Sequence, residues 1–520
     1  MLRASIACSL LASATSFLLP SSPFPATTSS LPSSCTSFSS STPLLPGRHV
    51  RSGAAKSAIP SLTPRARASS SLLAVRMQAD GLCRVVVTGM GINSCLGNTL
   101  DDVTSSLKEA KSGIRFRQDF ADNGLKSQVC GWPELTEEEI KERIPRQTLR
   151  FMGPHAKYAY LALQDAINDS GLKESEYQGN PDFASILGQG GASVQDMMET
   201  VEAVRSQAPR WANKVGPYRV TRSMGSSVSA ILATAFKLQG PSFSISSACS
   251  TGAHCIGVGM EQVWAEGALM VGRLEEEVGD EIQLGKAKLA ACGAGEADGW
   301  EFTAMFDCMG ALSSKYNDSP KTASRAFDKT RDGFVIAGGG GVLILEEYEH
   351  AKARGAKIYA ELTGYGANSD GYDMVAPSGF GGEECMKIAL GMANKGPHGE
   401  RKVDYINCHG TSTPVGDAME LEAIKRAFVK DPSRGYSPFV GSTKSISGHS
   451  LGAAGVHEAI YSILMMQNDF LAESAHIKDI CDESEGLNIL RKRYDGKVNR
   501  VMSNSFGFGG TNACLVFDRV

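Results

Sequence analysis

Three side chains in this sequence combine a reactive type with a suggestive setting: Cys249, His409 and His449. Cys249 lies in Ser246-Ser247-Ala248-Cys249-Ser250-Thr251-Gly252, between a β-type run (Phe243-Ser244-Ile245) and a helix-compatible one starting at Ala253. A thiol where a strand turns into a helix faces unpaired backbone N–H groups and the positive end of the helix dipole, which favours thiolate. A free cysteine is commonly buried filler, and a single histidine is commonly a structural partner, so the weight rests on the three together. His409 follows the strand-like run Val403 to Cys408 and opens His-Gly-Thr-Ser-Thr-Pro-Val-Gly-Asp, in which Asp417 is placed to cap a helix. His449 lies in Gly-Ser-Thr-Lys-Ser-Ile-Ser-Gly-His-Ser-Leu-Gly, residues 441–452, after Phe439-Val440. A fourth loop, Ser-Asn-Ser-Phe-Gly-Phe-Gly-Gly-Thr-Asn at 503–512, follows Val501-Met502. Loops at strand ends are where α/β scaffolds mount function, and the small neighbours here let a substrate approach closely. HExxH is absent and the spacing matches no zinc ligand set, so no metal is assigned.

The elements that must position these loops alternate in type. A buried-strand run at 84–87 leads into Thr88-Gly89-Met90-Gly91-Ile92-Asn93-Ser94. Ser94 stands where a dinucleotide loop needs its third glycine, so that reading fails. The same pattern, T-G-x-G-x-N-S, recurs at Thr363 to Ser369 after a second strand-like run, which points to an internally duplicated domain. Between the copies, residues 103–111 and 157–170 have helical spacing, with Asp101 or Asp102 as N-cap. Residues 183–187, 334–336 and 342–345 read as strands, and the glycine run 338–341 as a close backbone approach. Strands separated by helices predict an α/β fold with parallel strands in two related halves, 82–349 and 357–520. Residues 263–281, with Glu275-Glu276-Glu277 and little apolar periodicity, read as an insert interrupting the helix that follows Cys249.

Residues 1–79 differ from the rest, with no Asp or Glu, seven basic residues, and dense Ser, Thr, Pro and Ala. This is the composition of a disordered targeting leader. Its apolar start, residues 6–11, followed by small residues, predicts a signal-like segment ahead of a transit-like one. Such a bipartite leader sends proteins to plastids bounded by extra membranes; mitochondrial import is the alternative. Removing the seven cations moves the formal charge from −4 to −11, which argues against nucleic-acid binding through bulk charge. No run of the length needed to span a membrane follows. Eleven cysteines beyond the leader, scattered and without CxxC pairs, argue for free thiols rather than a disulfide framework or structural zinc.

Four motifs in order, S-S-A-C-S, H-G-T-S-T-P, S-T-K-S-I-S-G-H-S-L-G-A-A-G and N-S-F-G-F-G-G-T-N, resemble the β-ketoacyl-acyl carrier protein synthases, the condensing enzymes of fatty acid synthesis. The resemblance runs from about Arg84 to the C-terminus. S-A-C-S-T-G-A-H-C-I-G, S-K-Y-N-D-S-P and R-D-G-F-V-I-A-G-G-G-G look most like the bacterial synthase I branch. It implies a thiolase-like fold, two related halves in an αβαβα layering, and an acyltransferase without cofactor. The implied reaction is decarboxylative condensation of acyl carrier protein with malonyl carrier protein. Cys249 would hold the acyl chain as a thioester, while His409 and His449 donate N–H bonds to the malonyl thioester oxygen as CO₂ leaves. The backbone N–H groups of Cys249 and Phe508 would form the oxyanion hole. Lys444 and Glu420 match a buried supporting pair, Thr411 and Thr413 match residues that bond the pantetheine arm, and Phe508 matches a gate.

The partner implied is acidic, so a basic docking patch is expected; Arg146 and Arg150 form one candidate stretch and Arg210, Lys214 and Arg222 another, with Gln147 where many relatives are basic. A homodimer is the family norm. The rival readings are a thiolase working on coenzyme A thioesters, a Cys-His-Asn synthase III type, and a catalytically silent partner subunit. The 506–508 loop lacks the thiolase's second cysteine, His449 replaces the Asn of the synthase III type, and the intact Cys249 disfavours a silent subunit.

Overall fold

The computed structural model describes residues 83–206, 209–272 and 287–520. Eleven strands make one sheet: β1 (Val85–Asn93), β2 (Phe183–Gly188), β3 (Ser242–Phe243), β4 (Leu289–Glu296), β5 (Gly339–Glu347), β6 (Ala360–Ser369), β7 (Tyr405–Asn407), β8 (Phe439–Gly441), β9 (Asn488–Ile489), β10 (Arg500–Gly507) and β11 (Thr511–Asp518). Their spatial order is β9-β8-β7-β10-β11-β6-β1-β5-β4-β2-β3. Leaving aside the extra two-residue edge strand β9, the strands of each half read third, second, fourth, fifth, first: β3-β2-β4-β5-β1 and β8-β7-β10-β11-β6. The pairing directions match as well. In each half the second strand runs parallel to the third and fourth, while the fifth is antiparallel to both the fourth and the first. The halves meet where β1 pairs antiparallel with β6, Val86 opposite Glu361 and Val87 opposite Ala360.

The duplication expected from the T-G-x-G-x-N-S repeat is therefore real, but the expected all-parallel sheet is corrected to a mixed one. β10 returns into β11 through a tight hairpin, Gly507 to Thr511, which can only join antiparallel strands, whereas β4 reaches β5 by a long excursion that includes the helix Trp300–Cys308; in both halves the last strand comes back antiparallel beside its predecessor.

Four helices complete the layers: α1 (Pro154–Ser170), α2 (Thr251–Gly272), α3 (Phe380–Ala393) and α4 (Ala454–Gln467). α1 packs on β1, β4 and β5, α3 on β6 and β11, while α2 and α4 pack against each other and on strands of both halves. The layering is thus αβαβα, with α2 and α4 in the middle. The repeated glycines explain how the outer helices approach so closely. A Cβ on Gly89 or Gly91 would lie 2.3 or 2.0 Å from the carbonyl oxygens of Ala166 and Ala162 in α1; on Gly364 or Gly366 it would lie 2.3 or 2.2 Å from those of Ala389 and Cys385 in α3. The run 338–341 is a close approach too, since a Cβ on Gly340 would meet the Tyr158 backbone at 2.6 Å.

Local corrections are small. Thr99, not Asp101 or Asp102, caps the helix Leu100–Lys108 by accepting from the Asp102 N–H. Thr413 likewise caps Pro414–Ile424, accepting from Gly416, so Asp417 is not the cap; its buried carboxylate instead accepts the N–H groups of Phe327 and Ser412. The helix behind Cys249 is not interrupted at Val263: it continues to Gly272, and the remainder of the 263–281 stretch lies outside the described residues. The leader, residues 1–79, also lies outside them. Among the described residues no helix is long and apolar enough to cross a membrane.

Candidate active site

Each central helix is preceded by a loop that carries chemistry. Cys249 sits two residues ahead of α2, directly after Ala248, whose backbone takes a left-handed φ of 49°. His449 sits five residues ahead of α4, held between the Val335 carbonyl, which accepts its N–H, and Ala337, which donates to its carbonyl. His449 Nε2 lies 3.1 Å from Cys249 Sγ, and the rings of His409 and His449 meet edge to face with centroids 5.1 Å apart. The structure thus brings together the three residues that the sequence left 200 positions apart, on the wall of a cavity of about 410 Å³ that Thr411, Thr413 and Phe508 also line.

Electrostatics correct one expectation. Cys249 is 8% exposed, and burial pushes its thiol up to about 12, against the opposing pull of Lys444 and the Phe508 N–H. Desolvation outweighs the helix terminus, so the resting group is a thiol. Burial, reinforced by Lys444, holds both His409 and His449 well below the ordinary histidine range. Both rings are neutral near pH 7, and each leaves Nδ1 without a protein partner. A neutral imidazole beside a thiol can take its proton, or donate one N–H to an oxyanion.

The supporting groups are paired differently from the expectation. Lys444 Nζ lies 2.5 Å from Glu458 Oε1 on α4, both side chains fully buried, so the buried pair is Lys444–Glu458 rather than Lys444–Glu420. Glu420 instead accepts the backbone N–H groups of His409 and Gly410 at 2.9 and 2.7 Å and the Asn504 amide at 3.1 Å. It fixes the His409 loop directly. Burial raises the carboxyl of Glu420, and that of Glu458 to about 7. Glu458 carried no sequence signal beyond being an acid in an apolar helix, whereas Asn504 lay inside the quoted 504–512 motif. Thr411 and Thr413 are joined Oγ1 to Oγ1 at 3.1 Å.

Phe508 lies between Gly507 and Gly509, and Gly509 and Gly510 take left-handed φ of 84° and 70°, which glycine adopts without strain. Its ring is 6.4 Å from that of Phe306. The Phe508 N–H favours the thiolate of Cys249, and a Cβ on Gly507 would lie 3.2 Å from the Cys249 nitrogen.

Of the basic residues, Arg146, Arg150, Arg210 and Lys214 are exposed. Arg150 lies over the rings of Phe151 and Tyr218. Arg222 donates to the Arg150 carbonyl at 3.0 Å, joining the two basic stretches. Its charge is engaged by the buried Asp196 at 3.3 Å, so it is a structural link more than a free docking cation.

The three ligand-type atoms of Cys249, His409 and His449 lie within 4.8 Å of one another. The same closeness puts a nucleophile within reach of two neutral imidazoles.

Two halves built on the same five-strand core, with a cysteine ahead of one central helix and histidines supplied by the other half, define a condensing enzyme of the thiolase-like fold. Comparison with known proteins narrows this. The model of the β-ketoacyl synthase N-terminal domain matches residues 83–271 and 276–351, and that of the C-terminal domain matches 359–478. The 3-oxoacyl-[acyl-carrier-protein] synthase 1 of Escherichia coli K12 is 49% identical over 438 residues, 84% of this chain and 99% of that protein. That of Haemophilus influenzae is 48% identical over 84% and 99%; the synthase 2 of Vibrio harveyi is 38% identical over the same shares. Among solved structures, a β-ketoacyl synthase from Burkholderia phymatum matches with a TM-score of 0.74 and 31% identity, covering 84% of this chain and all of that one. This chain belongs to the β-ketoacyl synthase family.

Proposed function

We propose that this protein is a β-ketoacyl-acyl carrier protein synthase of the synthase I type, extending acyl chains by two carbons. The observation that carries the reading is the 3.1 Å approach of His449 Nε2 to Cys249 Sγ with the neutral His409 ring beside it. The thiol of Cys249 attacks the acyl thioester, and the leaving phosphopantetheine thiol takes up the proton that the cysteine gives away. The acyl oxyanion forms between the Cys249 and Phe508 N–H groups. Malonyl carrier protein then enters with its pantetheine arm bonded by Thr411 and Thr413. As CO₂ leaves, His409 and His449 donate N–H bonds to the thioester oxygen, a term worth a few kcal/mol per donor in a dry site. The carbanion carbon attacks the acyl carbonyl to form the carbon–carbon bond and a tetrahedral oxyanion, which collapses to expel the Cys249 sulfur as thiolate; a proton taken up from solvent restores the resting thiol. Lys444–Glu458 and Glu420 hold the two histidine loops, and the Phe508 loop gates the acyl side.

The carrier is the partner, recognised through Arg146, Arg150, Arg210 and Lys214. One solved relative, a type II polyketide ketosynthase at 26% identity and a TM-score of 0.70, is titled as a complex with its acyl-carrier protein, which supports this choice of partner. A homodimer fits the edge strand β3, which ends the sheet with Phe243 41% exposed; an uncovered edge is a pairing surface. The acid-free leader supports delivery to a plastid. The test is turnover: the chain from about residue 80 onward, given acyl and malonyl carrier proteins, releases CO₂ and forms β-ketoacyl carrier protein. Turnover only with coenzyme A thioesters, or none at all, contradicts the proposal.

A further inference from the structure

One buried carboxylate near the site has no part in the steps above. Glu296 ends β4, is 1% exposed, and receives its leading compensation from backbone N–H groups alone: those of Gly452, Gly190, Ala297 and Gly191. One oxygen, Oε2, accepts from Gly190 at 2.9 Å and from Gly452 at 3.0 Å. Gly452 belongs to the His449 loop, and Gly190 belongs to a loop that is bonded in turn to the Cys249 loop. Gly452 comes three residues after His449, behind Leu451, which lines the cavity and is held at φ 46° although it is not glycine. Gly190 follows β2, and its carbonyl accepts from Ser246 Oγ, at 3.3 Å, on the loop that carries Cys249. Neither glycine tolerates a side chain here: a Cβ on Gly190 would lie 2.4 Å from Glu296 Oε2, and one on Gly452 would lie 2.2 Å from the Gly190 nitrogen.

We propose that Glu296 is a positioning residue for the condensation, its carboxylate tying the His449 loop to the Cys249 loop across the two halves and so setting the separation of imidazole and thiol. A left-handed Leu is strained and persists only where its surroundings hold it; the hydrogen bond to the next residue, Gly452, supplies that hold. Burial raises the Glu296 carboxyl to about 7, so the group is mainly carboxylate at pH 8, and the ionised form suits this place because it is all acceptor. An amide in its place turns an N–H₂ toward converging N–H donors.

The charge leaves a second signature. The groups facing Cys249 are His449 and Lys444 from the 441–452 loop, His409 from the loop after β7, and Glu296 from β4; Lys444 favours the thiolate and Glu296 opposes it. Removing the anion therefore makes Cys249 ionise more readily even as the geometry for catalysis worsens.

This inference rests on the proposed decarboxylation, so two readouts are needed, one independent of it. Glu296→Gln and Glu296→Asp are compared with the parent protein for malonyl carrier protein decarboxylation and for the pH profile of Cys249 alkylation by iodoacetamide. Glu296→Gln is expected to lower kcat for decarboxylation roughly 10- to 100-fold with KM little changed, and to alkylate several-fold faster at pH 8 with its midpoint at lower pH. Glu296→Asp keeps the charge but withdraws it, so decarboxylation falls while the alkylation profile stays with the parent; this variant decides if Glu296→Gln fails to fold. Parental decarboxylation in both variants, or parallel slowing of both readouts, overturns the proposal. A parent protein that releases no CO₂ overturns the decarboxylation reading instead, and an alkylation profile unmoved by Glu296→Gln then overturns the role of Glu296 by itself.

Discussion

The first strand of each half and the loop ahead of each central helix follow opposite rules. β1 and β6 keep the same seven-residue pattern, and in both the glycines admit a helix carbonyl to within 2.3 Å of where a Cβ would stand. Ahead of α2 and α4 the small-residue frame is kept, Ser247, Ser250, Gly252 and Ala253 against Ser447, Ser450, Gly452 and Ala453, but the reactive residue is not: one loop offers a thiol and the other an imidazole, 3.1 Å apart. Close packing imposes the same requirement on both copies, so the residues stay the same. A reaction centre needs unlike groups, a nucleophile against donors, and the pseudo-symmetric scaffold supplies two equivalent mounting points that can be filled differently.

The contrast breaks most sharply at the loops. Cys249→Ala should abolish condensation while leaving the fold intact; full activity in a product assay would remove Cys249 from the mechanism. His409→Ala should cut the rate about 10²–10³-fold, as loss of an oxyanion donor does, with the melting temperature nearly unchanged. At the scaffold the expectation is symmetry. Gly91→Ala and Gly366→Ala should each destabilise the protein by about 1–3 kcal/mol through overpacking, read by urea unfolding, and a large cost in only one half would contradict equivalent packing. The smallest effect is in pH. His409 and His449 have depressed pKa values in the folded state, so the unfolded chain binds more protons below its ordinary histidine value of about 6.5. Their contribution to stability is present above that pH and fades as pH falls. Relative to a His409→Asn/His449→Asn variant, the parent should lose stability between about pH 7 and pH 5; an unchanged difference would mean the rings are not held neutral.

How much the sequence revealed follows the same division. Cys249, His409, His449 and Phe508 sit in strand-end loops of unusual composition, which makes them legible in the sequence. The repeat disclosed the duplication, because the glycines record a steric demand. Strand direction was hidden, since a buried antiparallel strand and a buried parallel one have the same apolar pattern. The partner of Lys444 was hidden for a different reason: Glu420 and Glu458 are both acids on apolar helices, and only the chain path decides which carboxylate reaches the ammonium and which turns to backbone N–H groups. The resting state of Cys249 was misjudged because a helix terminus can be read from sequence, whereas the burial that outweighs it cannot.

The most direct test of the division between an acyl-holding thiol and a decarboxylating histidine pair is CO₂ release from malonyl carrier protein by Cys249→Gln, whose amide stands in for the acyl thioester. The account predicts continued decarboxylation without any β-ketoacyl product. Loss of CO₂ release in this variant, with its fold intact, would show that Cys249 itself drives the decarboxylation and would contradict the roles assigned to His409 and His449.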